Sequence, residues 1–407
     1  MRYIVIGASA SGINGAKTLR QLQPNAEIIM VSEDRYVYSR CILHRYISGD
    51  RDIKGLDFTE KNYFEKYNIK WINGVKVTEL NDGKHSIRLS DNTELSYDKL
   101  LIASGAGSFI PPVENLREAN NVFGLRTLED AERIKEAVKS VKNVVVLGAG
   151  LIGVDAVAGL LNHGLNIYVV EMNDRVLALQ LDKCAAEKYH ELFREKGVNL
   201  KLKVKAEKLV IDRNNNPKKM LLNTGEEIPC ELVIPAAGVR ANIDFLKKSN
   251  VKADRSGLVI DEKGQTNVDD VYGAGDVTGR NPIWPTAVKE GIVAANNMAG
   301  NRLLMTDFFG SKNTMNFLGL ATMSLGLVSA PDETYNEEIE IKGGNYKKIV
   351  HKEGVIYGAI IQGDLSYAGI LTQLISKKID ISRVKKPIFE IDYSDFFNLK
   401  ENLEYTY

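Results

Sequence analysis

Two stretches of the chain share one pattern, in which a short apolar run meets a glycine-rich turn and a helical run with an apolar face follows. The first stretch places these parts at residues 4–6, 7–12 and 13–22, and the second at 144–147, 148–153 and 154–162. A buried strand, a glycine turn and a helix in this order form the unit of nucleotide-binding folds. The repeat therefore predicts two nucleotide-binding folds in one chain.

The remaining patterns predict an antiparallel insertion, a linker and a third kind of module. Apolar and polar residues alternate over 71–102 around turn signals, which is typical of antiparallel strands. Pro111 and Pro112 stand side by side, and such a pair continues neither a helix nor a central strand. After residue 305, three short apolar runs and a helical pattern over 366–378 predict a three-stranded meander with one helix.

These patterns together predict an α/β protein with two Rossmann-like dinucleotide-binding domains and a C-terminal α+β domain. The second nucleotide-binding domain interrupts the first. The predicted boundaries are 1–108 and 242–304 for the first domain, 109–241 for the second, and 305–407 for the C-terminal domain with an aromatic tail.

The first glycine turn has the residue types that bind a pyrophosphate. Gly7 and Gly12 flank this turn, and Ser9 takes the place of the middle glycine of the usual fingerprint. Small residues let a pyrophosphate approach the free N–H groups at a helix N-terminus. Glu33 follows at the end of the next apolar run, where a ribose-binding carboxylate is expected. The alternative is a tight strand-to-helix turn that binds no ligand.

The second turn has the complete fingerprint, with Gly148, Gly150 and Gly153. Glu171 ends the following apolar run, and a carboxylate at this position accepts a hydrogen bond from a ribose 2′-hydroxyl and repels a 2′-phosphate. This turn therefore predicts NADH rather than NADPH as its ligand, unless Glu171 is only a solvated strand end.

Two dinucleotide sites in one chain indicate that one nucleotide is the reductant and that the other is a flavin that stays bound. A third segment supports this interpretation. Gly275 and Asp276 place an acid directly after a glycine turn, where the carboxylate is suited to a polyol chain such as ribitol. By itself this segment is also compatible with a simple turn.

Composition narrows the class of protein. Hydrophobic residues make up 44% and charged residues 26%, and 53 Lys plus Arg balance 53 Asp plus Glu, which argues against nucleic-acid binding. The three cysteines form no CxxC pair, and the five histidines show no metal-ligand spacing, so we expect no iron–sulfur cluster and no metal. We expect no membrane span, no signal peptide and a cytoplasmic protein.

The ordered set of motifs resembles the pyridine nucleotide-disulfide oxidoreductase superfamily. Besides the two glycine turns, the set contains the run 97–105 with Ala103, Ser104 and Gly105, the run 232–238 with Gly238, and the run 272–276. The resemblance implies FAD on the first turn, Glu33, the turn 103–105 and Asp276, with NAD(H) on the inserted domain. The part after residue 305 resembles the C-terminal domain of NADH:rubredoxin oxidoreductases and of the flavin domain of nitrite reductase.

The stretch 38–45 is similar to the Tyr-x-Arg-Pro-x-Leu-Ser-Lys segment of flavin reductases that serve small carriers. Arg40 matches the arginine of that segment, Cys41 replaces its proline and Arg45 its lysine. In that family the lysine pairs with a glutamate, and this chain has Asp155 at the matching position. The resemblance thus predicts an ion pair between Arg45 and Asp155 near the flavin. Trp284 matches the start of a helix under the flavin ring.

Cys41 also fits the single-cysteine segment of NADH oxidases and coenzyme A disulfide reductases. In that interpretation Cys41 is a redox-active thiolate whose pKa Arg40 or Arg45 lowers. The alternative, which we favour, is an inert cysteine that is buried in place of the proline. Cys184 and Cys230 are predicted to be packing residues.

The predicted function is an FAD-dependent oxidation of NADH, with electrons passed to a small carrier such as rubredoxin. The alternatives are a Cys41-dependent NADH oxidase or coenzyme A disulfide reductase, and a flavin subunit of a larger redox complex. The tail 388–407 carries six aromatic residues, which predict packing on the C-terminal domain or in a homo-oligomer, with docking of a partner as the alternative.

Overall fold

The computed structural model describes residues 1–305, 312–396, 398–399, 401 and 405–406. The strands, numbered in chain order, are β1 Arg2–Ile6, β2 Glu27–Ser32, β3 Lys70–Asn73, β4 Val77–Asn81, β5 Ser86–Leu89, β6 Glu94–Ser96, β7 Lys99–Ile102, β8 Ala106–Ser108, β9 Asn143–Leu147, β10 Asn166–Glu171, β11 Asn199–Leu202, β12 Ala206–Ile211, β13 Pro217–Leu222, β14 Glu227–Pro229, β15 Leu232–Pro235, β16 Val239–Ala241, β17 Val271–Gly273, β18 Asn313–Phe317, β19 Leu320–Gly326, β20 Asn336–Lys342, β21 Asn345–Lys352, β22 Val355–Gln362, β23 Asn398–Leu399 and β24 Tyr405–Thr406.

The α-helices are α1 Ala10–Leu22, α2 Leu43–Ile47, α3 Tyr63–Lys66, α4 Leu128–Ala137, α5 Leu151–Leu160, α6 Lys183–Glu195, α7 Trp284–Met298 and α8 Ala368–Ser376. Short 3₁₀ helices cover Arg40–Ile42, Lys54–Leu56, Asp82–Lys84, Leu161–His163, Asp244–Leu246, Asp276–Thr278, Ile388–Glu390 and Tyr393–Phe396.

A five-stranded parallel sheet forms the first nucleotide-binding fold. Its strand order is β17-β7-β1-β2-β3, and Ile4 of β1 pairs with Ile29 of β2 and Leu100 of β7. Four of the five residues of β1 are buried, as expected for a strand that is covered on both faces. The carboxyl ends of these parallel strands share one edge, which places the loops after β1, β2 and β7 together.

The predicted insertion over 71–102 is longer than the real one. Only β4, β5 and β6 form a three-stranded antiparallel sheet, whereas β3 and β7 belong to the parallel sheet. Strand β7 lies between β1 and β17, and three of its four residues are buried. Assigning β7 to the antiparallel insertion was therefore wrong. Its continuous apolar run, residues 100–102, is typical of a central parallel strand that is covered on both faces.

The second nucleotide-binding fold has a sheet of strand order β11-β10-β9-β15, and a three-stranded antiparallel sheet of β12, β13 and β14 follows. Val145 of β9 pairs in parallel with Val233 of β15. Helix α5 begins at Leu151, three residues before the predicted start, and the Val154 N–H donates to the Gly150 carbonyl.

The C-terminal residues form a five-stranded antiparallel sheet of order β18-β19-β22-β21-β20 with helix α8. The predicted meander is confirmed as β20, β21 and β22, and β18 and β19 extend it. Part of the aromatic tail packs on this module: Tyr393 donates from its hydroxyl to the Gly369 carbonyl at 3.2 Å, and Phe396 is buried. Phe397 and Tyr407 lie outside the described residues.

The chain divides into two compact units. One contains residues 1–148, 155–168 and 205–310, and the other contains 149–154, 169–204 and 311–407. The domain boundaries given above stay a prediction. In the described part of the chain, no helix combines the length and the apolar character that crossing a membrane requires.

Candidate functional site

The turn between β1 and α1 is built on two glycines that no other residue can replace without displacing backbone. Gly7 has φ +108°, and a Cβ there would lie 2.1 Å from the Ala103 carbonyl oxygen. A Cβ on Gly12 would lie 1.9 Å from the Gly7 carbonyl oxygen. Gly12 thus allows the helix to pack closely on its own strand, which is the role of the third glycine in such turns.

Helix α1 begins without a side-chain cap. Ser9 is the N-cap residue, its hydroxyl accepts no capping hydrogen bond, and the first turn holds no acidic residue. The first N–H groups of a helix have no partner within the helix, and the helix dipole places positive charge there. This helix end therefore fits the pyrophosphate of a dinucleotide.

Helices α7 and α1 pack so closely that their backbones are in contact. A Cβ on Gly291 would lie 2.2 Å from the Ser11 carbonyl oxygen, and a Cβ on Gly275 would lie 2.5 Å from the Ser11 hydroxyl oxygen. The structure thus brings the loop of Gly275 and Asp276 to the first turn of α1. Helix α7 also begins uncapped, and its first residue Trp284 packs edge-on against Phe58 with ring centroids 4.7 Å apart.

Glu290 is a buried carboxyl that the sequence analysis missed. Its Oε2 accepts a hydrogen bond of 2.7 Å from the Gly275 N–H and one of 3.4 Å from the Thr278 hydroxyl. Burial raises the pKa of Glu290 to about 7. Its sequence signal was an acid within a helical run of mainly apolar and small residues.

Asp276 has a partner that the sequence analysis also missed. The Arg126 guanidinium donates to Asp276 Oδ2 and, through Nε, to the Ala106 carbonyl at 3.0 Å. Both side chains of the Arg126–Asp276 pair are about 15% exposed. Arg126 therefore balances the charge of the acid that we expect to bind the ribitol chain.

Arg40 lies in a polar network beside this pair. Its guanidinium donates to Asp34 at 2.6 Å, to the Tyr38 hydroxyl at 2.9 Å and to the Arg126 carbonyl at 2.7 Å. Glu33 directly follows β2, is exposed and lies 3.5 Å from Lys76 Nζ. Arg40 is thus held by protein groups, whereas Glu33 has its carboxylate open to solvent at the sheet edge.

The turn after β7 is fixed by hydrogen bonds to one residue, Asn242. The Ser104 hydroxyl donates to the Asn242 carbonyl at 2.8 Å, and the Asn242 amide donates to the Ser104 carbonyl at 2.9 Å. The Asn242 N–H donates to the carbonyl of Gly105, whose φ is +67°. Ala103, Ser104 and Gly105 therefore form a rigid turn at the edge that carries Gly7.

The predicted ion pair between Arg45 and Asp155 is wrong, because His44 takes the position opposite Asp155. His44 Nδ1 lies 3.0 Å from Asp155 Oδ1, although the two atoms are not aligned as a regular hydrogen bond. Burial raises the pKa of Asp155, while His44 and Arg45 oppose this effect. Gly159 lets α5 approach α2, since a Cβ there would lie 3.0 Å from the His44 carbonyl oxygen.

Cys41 is exposed, so the prediction of a buried cysteine is wrong. Its thiol is nevertheless not activated: loss of hydration among the surrounding protein atoms and the charge of Asp155 raise the pKa of Cys41 to about 11. Arg126 lowers this pKa, rather than Arg40 or Arg45 as predicted. Cys184 is exposed as well, against our expectation, and Cys230 is buried.

The second glycine turn repeats the conformation of the first. Gly148 has φ +109°, and a Cβ there would lie 2.6 Å from the Ala236 carbonyl oxygen. A Cβ on Gly150 would meet no atom within 4 Å, which leaves the side of the turn open to a ligand. Gly153 lies in the first turn of α5, and Gly238 has φ +108° in an exposed turn after β15.

Glu171 is buried at the end of β10, and both of its carboxylate oxygens accept hydrogen bonds. Its Oε2 accepts from the Ala149 N–H at 2.7 Å, and its Oε1 accepts from the Asn173 N–H at 2.7 Å. The neighbouring Arg175 donates to the Leu181 carbonyl at 3.0 Å and to Asp174 at 2.6 Å. Arg175 is therefore committed to protein groups and not to a 2′-phosphate.

The described residues contain no group of three or more His, Cys, Asp or Glu side chains that could hold a metal ion. The groups that can bind a ligand here are the two glycine turns, the uncapped ends of α1 and α7, and the polar residues around Asp276. This set fits FAD on the first turn and a nicotinamide nucleotide on the second.

Comparisons with known proteins agree with this arrangement. The epsilon subunit of NADH-dependent phenylglyoxylate dehydrogenase from Aromatoleum evansii is 26% identical, covering 94% of this chain and 93% of that subunit. The NADH oxidase of Methanocaldococcus jannaschii is 32% identical over 74% of this chain and 70% of the relative. The NADH-rubredoxin oxidoreductase of Clostridium acetobutylicum is 27% identical over 96% of this chain and 97% of the relative.

Among solved structures, an NAD-dependent persulfide reductase from A. fulgidus matches with a TM-score of 0.84 and 26% identity, covering 93% of this chain and 77% of that one. A family model described as rubredoxin NAD+ reductase C-terminal domain matches residues 312–379. The model described as pyridine nucleotide-disulphide oxidoreductase matches residues 1–291. The chain therefore belongs to the pyridine nucleotide-disulphide oxidoreductase family, and it is an oxidoreductase that uses FAD and NADH.

Proposed function

We propose that this oxidoreductase passes electrons from NADH through FAD to a small carrier protein such as rubredoxin. The first glycine turn, Glu33 and the uncapped ends of α1 and α7 hold FAD, and the second turn with Glu171 holds NADH. FAD held by these residues would supply the chemistry that takes a hydride from NADH and gives up electrons one at a time, as an iron carrier requires.

The observation that carries the choice of electron acceptor is the raised pKa of the Cys41 thiol. With its pKa raised to about 11, the thiol is protonated at neutral pH, whereas the thiolate is the form that attacks or is oxidised. The match of residues 312–379 to the rubredoxin NAD+ reductase C-terminal domain supports the same choice. A relative named NADH-rubredoxin oxidoreductase, matched over nearly its whole length, supports it as well.

His44 and Asp155 form a polar pair, and the Asp155 carboxyl acts on Cys41. His44 Nδ1 and Asp155 Oδ1 lie 3.0 Å apart, and both side chains are less than 20% exposed. Asp155 also raises the pKa of the Cys41 thiol, whereas Arg126 lowers it. The charge of Asp155 thus adds to the loss of hydration in favouring the neutral thiol at Cys41.

An anaerobic titration of the FAD-loaded protein with NADH tests this proposal. We expect two electrons per chain, because FAD is then the redox centre, and reduction of added rubredoxin at an undiminished rate in Cys41→Ser. Cys184→Ser is the matched control, since Cys184 is also exposed but lies in α6. A four-electron endpoint, or loss of turnover in Cys41→Ser alone, would overturn the assignment.

Exposure of Cys41 favours a second candidate, a thiol-dependent NADH oxidase or coenzyme A disulfide reductase. Relatives named NADH oxidase and coenzyme A polysulfide/persulfide reductase point in the same direction. In this case the titration would show charge-transfer absorption between thiolate and flavin, and oxygen or coenzyme A disulfide would replace rubredoxin as acceptor.

A third candidate is a flavin subunit of a larger complex, because three relatives are named as subunits. Size-exclusion chromatography of the isolated chain, followed by the rubredoxin assay, separates this case from the first. A homo-oligomer that reduces rubredoxin supports the carrier reductase.

We also infer a cytoplasmic location, since the three cysteines are free and a reducing compartment keeps them so.

A further inference from the structure

A lysine is buried in the C-terminal sheet. Lys348 in β21 is 3% exposed, and its Nζ lies 3.1 Å from Asp182 Oδ2 and 3.0 Å from Glu337 Oε2. A buried ion pair of this kind adds little stability compared with apolar packing, because both charges lose their hydration. Lys348 therefore calls for an explanation other than the stability of the sheet.

Asp182 links this lysine to the start of α6. Its Oδ1 caps the helix by accepting the Ala185 N–H at 2.9 Å. Its Oδ2 accepts from the Tyr346 hydroxyl at 2.5 Å and from Lys348. Asp182 is the last residue of the loop 173–182 and the N-cap of α6, and its carboxylate binds both to β21.

Two further contacts hold α6 to the sheet. The buried Gln362 amide donates to the Ala185 carbonyl at 2.9 Å. The Tyr189 hydroxyl donates to the Leu320 carbonyl at 3.1 Å and lies 2.8 Å from the Thr322 hydroxyl. The first two turns of α6 are therefore fixed to β19, β21 and β22.

The loop 173–182 is held in turn by α6 and by the second glycine turn. The Val176 N–H donates to His190 Nε2 of α6 at 3.2 Å. The Leu177 N–H donates to the Ala149 carbonyl at 2.8 Å, and Leu177 has φ +52°, an uncommon conformation for a leucine. Such a conformation persists only where the surrounding contacts enforce it.

These contacts form one path from Lys348 through Asp182 and the loop 173–182 to Ala149, whose N–H also binds Glu171. We propose that Lys348 is a positioning residue for NADH: through Asp182 it fixes the loop that shapes the coenzyme's ribose site. The C-terminal sheet then contributes to coenzyme affinity without touching the coenzyme. This inference rests on the proposed binding of NADH at Glu171.

The test compares Lys348→Met with Lys347→Met in the FAD-loaded protein. Lys347 is the neighbour in β21, and it pairs with Glu340 instead of Asp182. NAD⁺ is the binding probe, measured by calorimetry, and steady-state kinetics with NADH give KM and kcat. We expect Lys348→Met to raise the Kd for NAD⁺ and the KM for NADH about 5- to 20-fold, with kcat within about twofold. Lys347→Met should change neither.

A second change distinguishes positioning from general destabilisation. Lys348→Met leaves the carboxylates of Asp182 and Glu337 without their lysine. Asp182→Asn added to Lys348→Met removes the one of these charges that lies at the loop but keeps a capping side chain, so the double variant should regain part of the NAD⁺ affinity. If Lys348→Met does not fold, Tyr346→Phe, which removes one hydrogen bond to Asp182, should weaken NAD⁺ binding in the same direction. Hydrogen exchange of residues 173–182 should increase in each weakened variant.

An unchanged Kd for NAD⁺ in Lys348→Met would overturn the proposal. An equal loss of affinity in Lys347→Met would do the same, because the effect would then be one of general stability. Failure of the wild-type protein to bind NAD⁺ or to be reduced by NADH would instead refute the proposed function, and this outcome is seen before any variant is made.

Discussion

Replacement of Glu290 by glutamine should change how the stability of the protein depends on pH. The Glu290 carboxyl is buried and accepts the Gly275 N–H, and burial, with a smaller contribution from Asp276, raises its pKa to about 7. Glutamine has nearly the same shape and retains an oxygen that can accept the Gly275 N–H, but it cannot ionise. The substitution therefore removes the titration and little else.

The sign and size of the effect follow from the two pKa values. Below the ordinary value of 4.5, both the folded and the unfolded state hold the proton. Between 4.5 and about 7 the unfolded state ionises first, so the folded state loses stability as the pH rises. Above 7 the loss is complete, and it amounts to about 3 kcal/mol, since one pKa unit corresponds to about 1.36 kcal/mol.

Urea unfolding of the FAD-loaded wild type and of Glu290→Gln, followed by circular dichroism from pH 4 to 8.5, measures this difference. Relative to wild type, the variant should gain up to about 3 kcal/mol between the two ends of the range, with most of the change between pH 4.5 and 7. Glu262→Gln, at an exposed glutamate, is the control. A difference between Glu290→Gln and wild type that stays constant with pH would refute the reasoning.

Other predictions concern Cys41, the two nucleotide sites and the tail. Cys41 should react with iodoacetamide at pH 8 about 100-fold more slowly than a thiol of pKa 9, and Asp155→Asn should increase the rate because a charge that raises the thiol pKa is removed. Glu171→Gln should lower the ratio of kcat/KM for NADH over NADPH by about tenfold or more, measured by steady-state kinetics. Gly12→Ala should give a protein without FAD, seen as lost absorbance near 450 nm, because its Cβ would meet the Gly7 carbonyl. Deletion of residues 393–407 should lower the melting temperature, since it removes the buried Phe396.

Each of these results has a clear opposite. Rapid alkylation of Cys41 at neutral pH would show an activated thiolate, and an unchanged coenzyme ratio in Glu171→Gln would exclude Glu171 as the ribose ligand. Retention of FAD by Gly12→Ala would mean that the turn tolerates a displacement of its backbone. An unchanged melting temperature after the deletion, together with slower reduction of the acceptor, would favour docking of a partner by the tail.

The two glycine turns were predictable because their requirements are local. Gly7 and Gly148 have φ values of +108° and +109°, and each would bring a Cβ within 3 Å of a carbonyl oxygen, that of Ala103 or of Ala236. Only glycine satisfies both conditions, so the positions of these glycines in the sequence predict the conformation of the turns. The family resemblance is confirmed for the same reason, since its motifs are largely such turns.

The residues that complete the site were less accessible to sequence reasoning. Arg126 binds Asp276, which lies 150 residues away in the chain, and Glu290 binds the Gly275 N–H, which lies 15 residues away in a different element. A charged residue within a helix or linker has no periodicity that identifies its partner. The one available signal was Glu290 itself, an acid among the buried residues of α7.

The misplaced ion pair shows what additional information would have been needed. On a short helix such as α2, neighbouring residues point about 100° apart, so a shift of one residue changes which side chain faces α5. The contact point is set by Gly159, which lies four residues after Asp155 and therefore on the same face of α5. Gly159 has no side chain, so the backbone of His44 packs directly against it. The side chain that reaches Asp155 is therefore that of His44 and not that of Arg45. A glycine at this spacing from a buried acid is thus the sequence feature that identifies where the second helix approaches, and the partner of the acid follows from it.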